Sequence, residues 1–204
     1  RLANGADPLF LWDRQNGMQD LGPVVDDLVQ INDAGQIVGT MRDPNDRNRA
    51  FLWDSKSGRC ILPTLGGDHA KPWAINNLGQ VVGNADPAAG ARRAFVWDAN
   101  EGIRDLMPRS TNPTRAFSIN NAGQVIVFAL DGSWLIGTRE GKAFTSQRPP
   151  LGSAHQINNF GAVVGLSQRG KGKVDVEVWH PDSGVEQIGQ LKGSFPGMPL
   201  IRAC

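Results

Sequence analysis

Three histidines, a serine beside one of them, an acidic loop and a lone tryptophan are the groups in this chain whose types could support chemistry. A zinc site needs ligands at tight spacing, and His69, His155 and His180 form no H-x-x-x-H pair and have no CxxC nearby. No metal and no cofactor is therefore expected. Ser153 near His155 has the types of a nucleophile and its base, but nothing else in the sequence supports that pairing. The chain contains no G-x-S-x-G elbow, no Walker-type loop and no dinucleotide fingerprint, so no catalytic residue is assigned. The loop D-P-N-D-R-N at 43–48 clusters oxygen ligands. A calcium loop alternates carboxylates with a glycine and ends on an acidic residue, whereas this one runs into Asn48 and Arg49. Trp73 stands apart from the other tryptophans. It can fill core or stack on a sugar; core is the favoured reading, and Trp73 is the weak candidate for ligand contact. The loops A-D-P-A-A-G-A-R-R and S-Q-R-G-K-G-K carry Arg and Lys, which suits an acidic partner or simply a solvated loop.

What would position these groups is a repeat. "INDAGQIVG" begins at Ile31, "INNLGQVVG" at Ile75, "INNAGQVIV" at Ile119 and "INNFGAVVG" at Ile157, giving intervals of 44, 44 and 38. A second landmark accompanies it: "FLWD" at 10–13 and 51–54, "FVWD" at 95–98, "SWLI" at 133–136 and "EVWH" at 177–180. From Ile to Trp is 22 positions in three units and 15 in the third, where Asp131-Gly132, a two-residue hairpin signal, replaces the long connection.

Each unit reads as four short β-strands. Gly35, Gly79, Gly123 and Gly161 fall where a three-residue hairpin needs a left-handed residue, and Asp33, Asn77, Asn121 and Asn159 before them suit an Asx turn. After the Trp strand, D-x-x-x-G or its variant H-x-x-x-G marks a second turn, with Gly17, Gly58, Gly102 and Gly184. Trp12, Trp53, Trp97, Trp134 and Trp179 share a strand position and are expected to form the core between units. No period-3.6 pattern survives between the glycines.

Four-stranded units of this period stack as β-propeller blades, because a lone unit cannot bury its faces. The expected fold is all-β: a partial blade at 8–22, blades at 26–67, 68–110, 111–151 and 152–191, and a possible closing strand at 198–204. Either a five-bladed ring closes or the chain is an excerpt of a larger propeller. Composition agrees, with 25 Gly, 13 Pro and 6 Trp favouring tight turns and large rings over long helices. A net charge of +1 supplies no field for nucleic acid or anionic membrane, and no apolar run approaches the roughly 18 residues of a membrane span. Any signal peptide is removed or lies outside the segment given, since Arg1 begins no charged or apolar leader. Cys60 and Cys204 could form one bridge, but so sparse a pair favours two free thiols.

The order A-x-x-I-N-[DN]-x-G-Q-V-V-G, then A-F-L-W-D, then D-L-G resembles the HAF-type extracellular repeat of bacteria, a module regarded as propeller-like. "WAINNLGQVVG" with "RAFVWD" and "IRDLM", "QINDAGQIVG" with "RAFLWD", and "HQINNFGAVVG" with "EVWH" carry the likeness over most of the chain. The family's His of His-Ala-Phe is Arg49 and Arg93 here, and Pro8 in "PLFLWD". A WD40 array would bring Gly-His dipeptides and a kelch array a double Gly per unit; the chain has no Gly-His and one Gly-Gly, at Gly66-Gly67. The resemblance implies a secreted or cell-surface protein and brings no reaction to transfer. The functional expectation is a non-enzymatic extracellular binding or scaffold module with a protein or glycan partner. A propeller lectin, with similar groups in every groove, is the alternative; a propeller-type lyase or hydrolase, with one unique cluster, comes third.

Overall fold

Every copy of the nine-residue motif folds as a hairpin, because its first Asn and its Gly supply what a three-residue loop needs. Asn32 Oδ1 accepts the N–H of Ala34 at 3.1 Å and of Gln36 at 2.9 Å, and the same bonds recur from Asn76, Asn120 and Asn158. Gly35, Gly79, Gly123 and Gly161 have φ of 75°, 74°, 75° and 78°. The Asx turn is thus made one residue earlier than expected. Asp33, Asn77, Asn121 and Asn159 do not close their own loops.

The computed structural model describes residues 7–24, 30–140, 143–168 and 173–192. Within them the chain is all-β. A two-stranded ribbon of β1 (Asp7–Asp13) and β2 (Gly17–Val24) precedes four four-stranded sheets. The first sheet contains β3 (Gln30–Ile31), β4 (Ile37–Arg42), β5 (Asn48–Asp54) and β6 (Gly58–Ile61); the second contains β7 (Gly66–Ile75), β8 (Val81–Pro87), β9 (Arg93–Asp98) and β10 (Gly102–Asp105). The third contains β11 (Thr114–Ile119), β12 (Gln124–Ala129), β13 (Trp134–Glu140) and β14 (Ala143–Gln147), and the fourth β15 (Ser153–Ile157), β16 (Val163–Gln168), β17 (Lys173–His180) and β18 (Gly184–Lys192). Each sheet is an antiparallel meander in chain order. The closing strand expected at 198–204, and Cys204 with it, lie outside the described residues; Cys60 is exposed.

The core lies between sheets. Adjacent residues of a strand point to opposite faces, so Val81 packs against the first sheet with Val38, Leu52 and Leu62, while Val82 packs against the third with Val125 and Val127. Ile126, Trp134 and Ile136 meet Ile157 and Val163 between the third and fourth sheets. A strand covered on both faces reads as a continuous apolar run, which is why the motif ends in Val-Val.

The tryptophans divide, against the expectation of a common core. Trp53, Trp97 and Trp179 pair with Ile37, Val81 and Val163, and all three are half-buried. The fully buried rings are the phenylalanines two residues earlier, Phe51 and Phe95, both 0% exposed. Trp12 is 61% exposed. Trp134 is buried but occupies another position: Val125 pairs with Gly137, so Gly137 stands where the other units have Trp. The cause is the short β12–β13 turn. It is a three-residue loop rather than the expected two, with Leu130, Asp131 and Gly132 enclosed by the Ala129–Ser133 pair and Gly132 at φ 86°. The Trp134 indole N–H is left buried without an acceptor among the described residues.

Successive hairpins are clasped end to end. Asn32 Nδ2 donates to the Asn76 carbonyl at 2.9 Å, Asn76 Nδ2 to that of Asn120 at 3.0 Å, and Asn120 Nδ2 to that of Asn158 at 2.9 Å. The residue after each Asn adds a second bond: the N–H of Asp33, Asn77 and Asn121 donates to Oδ1 of Asn77, Asn121 and Asn159. The second Asp or Asn of each motif therefore belongs to the joint between sheets.

A cation-lined cleft between the second and third sheets

A β-bulge in the first strand of three sheets sets one side chain out of the pairing. Pro72 pairs with Gly83 and Ala74 with Val82, leaving Trp73 over; Phe117 and His155 are left over in the same way. Bulges re-aim a side chain. Trp73 turns so that its indole N–H donates to Asn84 Oδ1 at 2.6 Å, and that Asn84 is 7% exposed. Two cations stack on the half-buried ring. Lys71 Nζ lies 4.6 Å from a ring centroid, and the Arg115 guanidinium, from the third sheet, lies 5.2 Å away. Such contacts are worth about 0.5–2 kcal/mol each, so Trp73 fixes the position of two positive charges.

Beside this stack lies a cleft of about 110 Å³ lined by Asn84, Arg92, Pro113, Thr114, Arg115, Phe128 and Leu130. Its floor is rigid, because the Thr114 N–H donates to the Arg92 carbonyl and Thr114 Oγ1 accepts the Ala94 N–H, both at 2.9 Å. Arg92 is neutralised by Asp86 at 2.7 Å. Arg115 is exposed and has no carboxylate within ion-pair distance among the described residues. The cleft can therefore receive a negative group beside an apolar wall formed by Phe128 and by Leu130, which is 67% exposed. The sequence singled out Trp73. It gave no sign of Arg115, which reaches the site only through the packing of two sheets.

The other sequence candidates lie apart. His69 Nδ1 accepts the Asn48 N–H at 3.0 Å, the exposed His155 has Nε2 3.2 Å from Ser153 Oγ, and His180 Nε2 is 3.7 Å from the Glu186 carboxylate. Ser153 Oγ also faces the Leu166 carbonyl at 3.3 Å. In the 43–48 loop, Asp43 is held by the chain itself: Oδ1 accepts the N–H of Asn45 and Arg47, and Oδ2 accepts from Arg49 Nε at 3.0 Å. The backbone bond from Arg47 is the main reason that its carboxyl sits below the usual range. Asp46, at φ 61°, pairs with Arg42. Of the basic loops, 85–93 contributes Arg92 to the cleft, and 167–173 falls mostly outside the described residues.

No protein-family model and no curated protein sequence matches this chain. Among solved structures it is similar to TolB from Acinetobacter baumannii, with a TM-score of 0.61 and 15% identity over 91% of this chain and 50% of that one. It is also similar to the β-propeller domain of the Trilobed protease from Pyrococcus furiosus, described as having an open velcro topology, with a TM-score of 0.60 and 9% identity over 92% of this chain and 62% of that one. The chain thus spans half the length of the first and less than two thirds of the second. The likeness shows a β-propeller-like repeat fold. Among the described residues no helix is long and apolar enough to cross a membrane.

Proposed function

We propose that this chain is a non-enzymatic extracellular binding module of HAF-like repeats that takes a carboxylate-bearing ligand in the Trp73–Arg115 cleft. The observation that carries the reading is the stacking of Lys71 and Arg115 on one bulged indole, beside a cleft with an apolar wall. Such a site suits an anion attached to an apolar or sugar body, because the carboxylate meets the Arg115 guanidinium while the body lies against Phe128 and Leu130. A lectin with the same groove in every unit has less support. The positions equivalent to Trp73 are Phe117 and His155, and cations already occupy the Trp73 ring that a neutral sugar would stack on. The extracellular setting follows from the HAF resemblance alone.

Calorimetric titration and thermal melts with galacturonate oligomers, a glutamate-rich peptide and neutral glucose oligomers test this reading. An acidic ligand at 100 times its Kd adds about 2.7 kcal/mol, enough to raise Tm by several degrees at this chain length. The expected result is a rise with one of the acidic ligands, none with the neutral oligomers, and loss of the rise in Arg115→Gln. Equal response to neutral oligomers, or unchanged affinity in Arg115→Gln, overturns the assignment of the cleft.

A further inference from the structure

The clasp between hairpins has a direction. Each hairpin gives two donors forward, an Asn side-chain amide and the next backbone N–H, and the following hairpin receives them on a backbone carbonyl and a side-chain carbonyl. The fourth hairpin receives both bonds and, among the described residues, passes neither on. Asn158 Nδ2 and the Asn159 N–H have no acceptor among the described residues, and Asn158 is exposed where Asn32, Asn76 and Asn120 are 7%, 4% and 2% exposed. Gln36, Gln80 and Gln124 also accept from their own Asn amides, but Ala162 fills that place in the fourth hairpin, so neither amide hydrogen of Asn158 has an acceptor among the described residues.

Among the described residues, the sheet face beneath these donors is less covered than its counterparts in the other sheets. In the second sheet Val82, Ala94, Val96 and Leu106 form the face that packs onto the third. By sequence position their counterparts in the fourth sheet are Val164, Val176 and Val178, all half-buried, and Ile188, which a bulge in β18 leaves out of the pairing. Leu106 is 6% exposed and Ile188 is 62% exposed. Donors and apolar surface therefore continue an interface that the molecule already builds three times.

We propose that the fourth sheet is a docking face for one further hairpin of the I-N-[DN]-x-G kind. The incoming hairpin sets an Asn backbone carbonyl on Asn158 Nδ2, the side-chain carbonyl of its next residue on the Asn159 N–H, and an apolar face like that of Ala70, Ile75, Val81 and Ala85 over Val164 and Ile188. The chemistry is selective, because a docked turn that displaces water from both donors must offer both acceptors in its place.

A synthetic peptide of residues 66–87, the second hairpin, is the probe, added to the full chain while amide hydrogen exchange is followed by NMR. Saturating peptide is expected to slow exchange at the Asn159 N–H at least tenfold and to shift the Asn158 side-chain amide. The Asn158→Asp protein should lose the effect. It keeps Oδ1 for Phe160 and Ala162, so a melt matching wild type shows that its hairpin is intact. A peptide carrying Asn77→Ala, which lacks one acceptor, should bind at least tenfold more weakly. Unchanged exchange at millimolar peptide whose own spectrum shows the folded hairpin, or equal protection by the Asn77→Ala peptide, overturns the proposal. Protection that grows with protein concentration in the absence of peptide, and persists in an Asp33→Ala protein whose first hairpin lacks the side-chain acceptor, also overturns it, by assigning the face to a second copy held through other contacts.

Discussion

The second and fourth sheets share one backbone and differ in what they place on it. Val81 faces Trp97 and Gly83 faces Phe95 in the second; Val163 faces Trp179 and Gly165 faces Glu177 in the fourth. The same buried position thus holds a 0% exposed phenyl ring in one sheet and a 1% exposed carboxylate, hydrogen-bonded to Ser167, in the other. The bulge residue is Trp73 in one and His155 in the other. What persists is the glycine opposite, the bulge and the hairpin Asn. These constrain the main chain, and a main chain fixed in this way tolerates different contents.

The largest effect should follow from emptying the shared position where it is apolar. Phe95→Ala removes a fully buried ring and is expected to cost about 3–5 kcal/mol. Trp12→Ala, at 61% exposure, should stay within about 0.5 kcal/mol. Urea unfolding of both variants measures the contrast, and equal costs would return Trp12 to the core.

Next comes the glycine facing it. A Cβ on Gly83 would collide with the Lys71 carbonyl and come 2.7 Å from the Phe95 ring, so Gly83→Ala should cost about 1–3 kcal/mol. Adding Phe95→Leu should not restore the loss, because the carbonyl remains. Full recovery in the double variant would show that the ring alone demands glycine.

The hairpins sharpen the comparison at a similar or smaller scale. Asn76→Asp keeps the Asx turn but loses the bonds to the Asn120 carbonyl and to Gln80, a cost of about 1–3 kcal/mol. In the fourth hairpin the same change should leave the melt unaltered. A comparable loss in both would mean that Asn158 is already clasped.

Much of the frame is visible in sequence because it rests on local backbone chemistry. The period, the hairpin glycines and the D-x-x-x-G turns follow from what short loops require. The misreadings arise where sheets meet. Asn32 and Asp33 are equally good Asx formers by type, and their roles separate only when a neighbouring hairpin presents Asn76 and Asn77. Trp134 carries the right residue at nearly the right place, yet the length of one turn moves it out of register. The cleft shows the same limit: Trp73 could be singled out by its isolation, whereas Arg115 comes from the next sheet.

The smallest effects are ionic, and they separate two carboxylates of the second sheet by sign. Burial pulls the Asp98 carboxyl upward, but hydrogen bonds from the Glu101 N–H, Arg104 and the Asn100 N–H outweigh it and leave the group below the ordinary value. Its contribution to stability is therefore present above pH about 3.9 and is lost as pH falls through the depressed value. Burial dominates at Asp105 and raises its carboxyl, against the Met107 N–H and Arg93. That contribution is complete below pH about 3.9 and disappears as pH rises through the raised value. Asp98→Asn should flatten the acid side of a plot of Tm against pH. Asp105→Asn, which keeps Oδ1 for Met107, should raise Tm at neutral pH more than at pH 3. The fourth sheet has His180 in place of Asp98. If Asp98→Asn and Asp105→Asn shift the acid side in the same direction, burial does not distinguish the two groups. The turn carboxylate would then be exchangeable with any other on the strand.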